Sequence, residues 1–144
     1  MRLTPEDARA RLAAADHGVL STLHPERGVD AVPCAFALDG DLVGFGVDTV
    51  KPKASTRLRR TRNLDHDPRA SLLVECWDRD DWSRLWWVRA TLRYEAEPPA
   101  GSAERLSGLL ARRYPQYADE PFAEVVVLRV VGLTGWAATD PAED

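Results

Sequence analysis

The sequence has 144 residues, which suits a single domain over residues 1–144 with a sizeable buried core. Charged residues make up 29% of the chain and hydrophobic residues 44%, a balance that excludes both a disordered and a membrane-spanning protein. No apolar run reaches the ~18 residues of a spanning helix, and the first residues contain no apolar signal stretch. We therefore expect a cytoplasmic protein.

Local signals predict the elements in chain order. Thr4-Pro5-Glu6-Asp7 is typical of a helix start, with a capping hydroxyl, an early proline and acids at the positive end of the dipole, so we predict a helix to about Ala15. Another helix is predicted between Lys53 and Pro68, with Leu58 and Leu64 inward, and a third from a capping Ser102 to about Arg113. Apolar alternation predicts strands at residues 18–23, 29–38, 42–47, 69–77, 82–95 and 124–131, the last continuing with a kink through Trp136.

These elements favour a mainly β fold of the α+β class. Six strands that arrive as hairpins predict a six-stranded antiparallel barrel with peripheral helices. A parallel doubly wound sheet is disfavoured because only short turns separate the first three strands. Gly44 and Gly46 share one face of the third strand, which leaves room for another backbone or a ligand, or marks a bend at a barrel corner.

Cysteine and histidine spacing gives no metal or disulfide signature. Cys34 and Cys76 each lie in an alternating apolar run, where a small buried thiol is ordinary. The three histidines show no metal-ligand spacing, so we predict no metal.

Basic charge is concentrated in one segment of an otherwise acidic chain. The net charge is −4, yet six basic residues and no acid fall between positions 51 and 62, and the only two lysines of the chain are among them. A strand that runs into a helix directs free backbone N–H groups at whatever precedes the helix, and cations there are repelled unless an anion is bound. The alternative is a solvated basic helix start. The predicted phosphate-binding residues are Lys51, Lys53, Ser55, Thr56 and Arg57.

Other ligands and chemistries fit less well. Nucleic acid is disfavoured because the net charge is negative and no aromatic residue is interleaved with the arginines. The serines and histidines show no triad spacing, and no Walker or Rossmann glycine loop is present. A redox cofactor would remove the need for catalytic side chains, and we assign none.

A tryptophan-rich segment is the second candidate site. Four of the five tryptophans are Trp77, Trp82, Trp86 and Trp87. Strand alternation sends Trp86 and Trp87 to opposite faces, so one should be buried within the subunit and the other should cover a partner subunit or a cofactor ring. A dimer contact without a ligand is the alternative.

Several strings together span most of the chain: Gly18-Val19-Leu20-Ser21-Thr22-Leu23, Val32-Pro33-Cys34-Ala35-Phe36-Ala37-Leu38, Lys51-Pro52-Lys53, Arg60-Thr61-Arg62-Asn63-Leu64, Asp67-Pro68-Arg69-Ala70-Ser71 and Asp81-Trp82-Ser83-Arg84-Leu85-Trp86-Trp87-Val88-Arg89-Ala90. They resemble the pyridoxamine 5′-phosphate oxidase-like superfamily of flavin and deazaflavin oxidoreductases, which are split β-barrels. The lysine string and the last string are similar to an actinobacterial subgroup of coenzyme F420-dependent enzymes.

The resemblance implies an FMN-binding type of split barrel and a homodimer with two cofactor sites at the subunit interface. It assigns the cofactor phosphate to the basic turn and the backbone of Val32 and Pro33 to the ring. The other subunit closes the site, which maps onto Trp77, Trp82 and Ser83.

The implied activity is hydride transfer between reduced F420 and an organic small-molecule substrate. FMN, as an oxidase cofactor or as stored flavin, is the alternative, and a non-catalytic dimeric carrier of a phosphorylated ligand is the third possibility. The Arg-x-His substrate motif of true pyridoxamine-phosphate oxidases does not occur in residues 132–138, which argues against vitamin B6 oxidation.

Overall fold

The computed structural model describes residues 1–48, 61–119 and 122–139. Seven strands, two complete helices and two short 3-10 turns are assigned there, and residues 61–66 are also helical. The helices are α1 (Pro5–Ala14) and α2 (Ser102–Arg113), and the 3-10 turns are Trp82–Arg84 and Pro115–Tyr117. The strands are β1 (Gly18–His24), β2 (Gly28–Cys34), β3 (Ala37–Asp39), β4 (Leu42–Asp48), β5 (Arg69–Cys76), β6 (Trp86–Tyr94) and β7 (Phe122–Ala137).

The strands form one antiparallel sheet that must curl into a split barrel. Their order is β2-β1-β5-β6-β7-β4-β3, so β2 and β3 are the two edges. Only residues 35–36 join these edges, a span of at most about 11 Å between the Cα atoms of Cys34 and Ala37. In a flat sheet the edges would be about 29 Å apart. The sheet therefore curls until β2 and β3 approach each other, and the barrel is split between them.

The prediction of six strands was wrong by one, because residues 29–38 form two strands. The apolar pattern continues through this range, but β2 ends at Cys34 and β3 begins at Ala37. Phe36 is completely buried in the barrel core, while the next residue, Ala37, is buried in a second cluster beneath α2. This alternation would fit one continuous strand. The strand is divided because the pairing partner changes, from β1 for β2 to β4 for β3.

The barrel interior is lined by alternate residues of β5 and β6, as expected for the apolar alternation that predicted these strands. Leu72 and Val88 are completely buried at the centre of this core. The intervening residues Leu73 and Arg89 face outward and are exposed. The inner positions of the two strands are Ala70, Leu72, Val74, Val88, Ala90 and Leu92.

The glycines of β4 make room for protein side chains. A Cβ atom at Gly44 would lie 2.9 Å from the Cβ of Leu106, which is completely buried on α2. A Cβ atom at Gly46 would collide with the ring of Phe122. The space that the shared glycine face leaves is therefore filled by the helix and an aromatic ring, which lets α2 cover the outer side of β3, β4 and β7.

The helix ends follow the predicted signals closely. The Thr4 hydroxyl accepts a hydrogen bond from the Asp7 N–H at 3.2 Å, as expected for a cap. At α2 the cap is one residue earlier than predicted, because Gly101 takes the position with φ of 79° and the Ser102 hydroxyl donates to the Pro99 carbonyl. In the described part of the chain, neither helix has the length and apolar character that crossing a bilayer requires.

The last strand lies between the two halves of the sheet. β7 pairs with β6 on one side and with β4 on the other. The predicted kink is a β-bulge: Thr91 faces Gly132 and Leu92 faces Val130, so Val131 is the extra residue. The predicted strand 82–95 begins later, at Trp86, because residues 82–84 form a 3-10 turn.

Candidate functional site

The predicted phosphate turn lies outside the described residues. This holds for all five predicted contacts, Lys51, Lys53, Ser55, Thr56 and Arg57. On either side of the turn, β4 extends to Asp48 and residues 61–66 are helical. The predicted order of a strand, a basic segment and a helix is therefore confirmed at both flanks, and the phosphate contacts stay a prediction.

A buried asparagine attaches the helical residues 61–66 to the first hairpin. The Asn63 side chain is 2% exposed, and its amide donates to the Thr22 hydroxyl at 3.0 Å and to the Asp30 carboxylate at 2.8 Å. Arg27 also donates to Asp30 at 2.9 Å. These hydrogen bonds hold the pKa of the Asp30 carboxyl below its usual value, and the bond from Asn63 has the largest effect. The helix that follows the basic segment is thus fixed to β1 and β2.

Sequence reasoning quoted Asn63 only as part of a string and gave it no role. It is the only asparagine of the chain, and the other residues of the helical segment are Thr61, Arg62, Leu64, Asp65 and His66. An asparagine is a weak helix former, so its place there was the available signal for a buried polar contact.

The predicted ring contacts of the second strand lie at an edge of the sheet. Val32 is half-buried and pairs with Leu20, whereas Pro33 is exposed and pairs with Val19. A proline has no N–H to donate, which suits a strand whose outer side has no neighbour. Carbonyl groups of β2 on that side are therefore available to a ligand in the gap of the barrel.

The loop after β5 holds two exposed indole rings in contact. The ring centroids of Trp77 and Trp82 are 5.7 Å apart with an interplanar angle of 51°, and the two residues are 59% and 65% exposed. Asp81 accepts from the backbone N–H of Ser83 at 3.1 Å and from its hydroxyl at 2.6 Å. Both hydrogen bonds lower the pKa of the Asp81 carboxyl, and the bond from the hydroxyl has the larger effect. The loop is therefore internally bonded while its aromatic surface stays exposed.

The two neighbouring tryptophans divide as predicted. Trp86 packs against the barrel core, and the guanidinium of Arg11 lies 5.0 Å from its ring centroid. Trp87 lies on the outer face of β6, with the guanidinium of Arg89 5.4 Å from its ring. Trp86 and Trp87 lie on opposite faces as predicted, but Trp86 is only partly buried, so neither indole is fully buried within the chain. Coverage of a partner or cofactor by Trp87 stays a prediction.

An apolar cavity of about 450 Å³ opens beside these rings. Its walls are mainly hydrocarbon and indole surface, with one carboxylate and one guanidinium among them, a combination that suits a flat aromatic ligand with a few polar atoms. The sequence analysis did not assign Leu73, Glu75 and Arg89 to the site, although strand alternation predicts that they face outward on β5 and β6. The lining residues are Leu73, Glu75, Trp77, Leu85, Trp86, Trp87 and Arg89.

Within one chain the predicted ring contacts fall into two groups. Trp77, Trp82 and Ser83 lie together at the end of β5, while Val32 and Pro33 are on β2. β1 lies between those two strands in the sheet. Within the single chain, β1 therefore separates the backbone group from the tryptophan group.

Exposed apolar residues extend over the outer face from this loop. Trp136 faces Trp87 across the β6–β7 pair and is 38% exposed, and Leu73 on the neighbouring strand is 37% exposed. Neighbouring exposed apolar residues of this kind form a candidate interaction surface. Among the described residues, the large exposed apolar side chains are Met1, Val29, Leu73, Trp77, Trp82, Val131 and Trp136.

Solved structures with similar folds include a FAD-binding protein from Mesorhizobium loti, with a TM-score of 0.68, 17% identity and coverage of 94% of this chain and 93% of that one. The chain has the split-barrel fold of such flavin-binding proteins. The split barrel also matches an F420 reductase, with a TM-score of 0.62, 22% identity and coverage of 90% and 98%. A third is a putative pyridoxamine 5′-phosphate oxidase from Corynebacterium glutamicum, with a TM-score of 0.58, 14% identity and coverage of 94% of each chain.

These matches confirm the split-barrel fold that the sequence strings implied. No family model matches the sequence, and no curated protein matches it significantly. At the identities above, the likeness concerns the fold, so the assignment of a ligand depends on the residues themselves.

Proposed function

We propose that this chain is a flavin- or deazaflavin-dependent oxidoreductase that works as a homodimer, with coenzyme F420 as the cofactor and an organic small molecule as the substrate. The observation that carries the proposal is the indole-lined cavity on the outer face of a split barrel. Its volume of about 450 Å³ falls within the range of small-molecule sites.

The described residues fit a flat tricyclic ring. Indole surface from Trp77, Trp86 and Trp87 would cover its faces and exclude water, and Glu75 and Arg89 offer one acceptor and one group of donors at its edge. When bound, the cofactor supplies the hydride chemistry, and the protein holds and orients it. The phosphate end would be held by Lys51, Lys53 and the neighbouring hydroxyl groups, as the sequence predicts.

The division of the ring contacts supports the proposed dimer. Since β1 separates Val32 and Pro33 from the Trp77 loop, we infer that a complete site takes β2 from one copy and the loop from the other. Association over the outer face would bury Leu73, Trp87 and Trp136. A site completed by two copies would account for the exposure of Trp77, Trp82 and Trp136 in the single chain.

Binding of the cofactor is the direct test. Purified protein is titrated with F420 and, separately, with FMN, and binding is followed by cofactor absorbance and by calorimetry. We expect F420 to saturate one site per chain. If neither cofactor binds, the proposed function is wrong. FMN binding without F420 binding would replace the deazaflavin with the flavin alternative, which the similarity to a FAD-binding protein favours as the second candidate.

Two lysine variants test the phosphate turn. Lys51→Ala and Lys53→Ala should each weaken cofactor binding by at least ~1 kcal/mol, about fivefold in Kd, through loss of a charge-assisted contact. Arg112→Ala, which removes an exposed cation from α2, is the matched control and should leave Kd unchanged. Unchanged Kd in both lysine variants would remove the turn from the site.

A further inference from the structure

A second cavity, of about 390 Å³, lies between α1, the start of β6 and the end of β7. It differs from the tryptophan cavity in charge, since two arginines line it and no aspartate or glutamate does. Its lining residues are Arg11, Cys76, Ser83, Arg84, Leu85, Trp86, Ala137 and Thr139.

Arg11 is oriented by stacking and is not neutralised. Its guanidinium lies 5.0 Å from the ring centroid of Trp86, and within the described residues it makes no ion pair. Arg9, on the same helix, instead pairs with Asp41 at 3.2 Å. A guanidinium held against an aromatic face keeps the N–H groups along its edge available, in a planar arrangement that matches a carboxylate.

The hydroxyl groups of the cavity already have acceptors. Ser83 donates to Asp81 at 2.6 Å, and Thr139 donates to the Ser83 carbonyl at 3.3 Å. Arg84 interacts electrostatically with the Asp81 carboxylate, so part of the positive charge of Arg84 is balanced. Arg11 is therefore the principal donor left for a ligand, and Arg84 is the second.

The remaining walls are apolar. Leu85, Trp86, Ala137 and the Cys76 side chain provide hydrocarbon, aromatic and thiol surface next to the guanidinium groups. An inorganic anion would leave that surface without a partner. We propose that this cavity binds an aromatic or other apolar carboxylic acid, with its carboxylate on Arg11 and Arg84 and its apolar body against Leu85 and Trp86.

A matched pair of probes tests the site in the full chain without added cofactor. A negative result would therefore not bear on the proposed redox activity. The probes are 1-naphthoate and 1-naphthamide, which share the ring system and differ in charge, and binding is measured by calorimetry. We expect naphthoate to bind at least about tenfold more tightly than the amide, as a charge-assisted pair would give. Equal affinities, or no binding of either probe, would overturn the proposal.

Variants separate the carboxylate contact from packing. Arg11→Ala should lower naphthoate affinity about tenfold or more, Arg11→Lys should lose less, and Arg9→Ala should have no effect. Since Arg11→Ala also removes a contact with Trp86, Arg84→Ala at an exposed position is the second variant, with an expected loss of about threefold. If naphthoate affinity stays unchanged in both alanine variants, the arginines do not form the site.

Discussion

The two faces of β5 and β6 differ in composition although both are formed by alternate residues of the same two strands. Inward positions such as Leu72, Val74 and Val88 carry medium-sized aliphatic side chains that are 0–1% exposed. Outward positions such as Trp87 and Arg89 carry large aromatic and charged groups beside a cavity. The comparison teaches that one face stabilises the fold while the other is free to bind, so substitutions on neighbouring residues should have separable effects.

The largest expected effect is on the inner face. Leu72→Ala removes a completely buried side chain from the barrel core and should lower the free energy of unfolding by about 2–5 kcal/mol. Urea denaturation measures this loss. The adjacent substitution Leu73→Ala, at an outward and 37% exposed position, should cost about 1 kcal/mol or less when the chains are kept dilute. Equal losses at the two positions would contradict the division between the faces.

On the outer face the expected effect is on association. Trp136→Glu places a charge opposite Trp87 and should weaken the proposed dimer by at least about 2 kcal/mol, roughly 30-fold in Kd. Sedimentation over a concentration series checks the result, and Arg112→Glu at an exposed position of α2 is the control. A wild-type chain that remains monomeric at all concentrations would remove the dimer.

The buried polar side chain of Asn63 should have an intermediate effect on stability. Asn63→Ala leaves the Thr22 hydroxyl and the Asp30 carboxylate without their amide donor, and we expect a loss of about 1–3 kcal/mol in the free energy of unfolding. Thermal and urea denaturation measure the loss. A variant as stable as the wild type would show that water replaces the amide at no cost.

The smallest expected effect is a change in acid sensitivity near the start of β5. Arg69 binds the Asp67 carboxylate at 2.7 Å and, with its backbone N–H, lowers the Asp67 pKa to about 2. Because the folded-state pKa is depressed, the stabilisation is present above the unfolded pKa near 4 and is lost as the pH falls towards 2.

Stability measured between pH 5 and pH 2 should therefore decline less steeply in Asp67→Asn than in the wild type. Arg69→Ala should flatten the same part of the curve, since it removes the partner. An unaltered slope in both variants would mean that this pair does not contribute to acid sensitivity.

Alternation made much of the barrel predictable. The inward positions of β5 and β6 followed directly from it, because one face of each strand is buried and the other is not. The break between β2 and β3 was not predictable in this way, since Ala35, Phe36 and Ala37 continue an apolar run. The break reflects a change of pairing partner, from β1 for β2 to β4 for β3, which depends on the order of the whole sheet.

The candidate site was predictable in its residue types and less so in its grouping. The concentration of tryptophans in one segment of the sequence identified the loop that contains Trp77 and Trp82. The indole rings of these two residues are in contact in the structure. The separation of Val32 and Pro33 from that loop depends on β1 entering the sheet between β2 and β5, a long-range pairing that local patterns do not encode. The cavity lined by Arg11 depends on the same kind of long-range contact between α1 and β6.

The place of β7 in the sheet has a consequence for folding during synthesis. β2, β1, β5 and β6 are contiguous in the sheet and have all been translated by Tyr94, whereas the β3–β4 hairpin joins them only through β7, which begins at Phe122. At a translation rate of about 5–20 residues per second, the ribosome holds this incomplete barrel for seconds. During that interval the edges of β4 and β6 lack their partner, and a nascent chain stalled before Phe122 should be the species most open to chaperone binding and to mispairing.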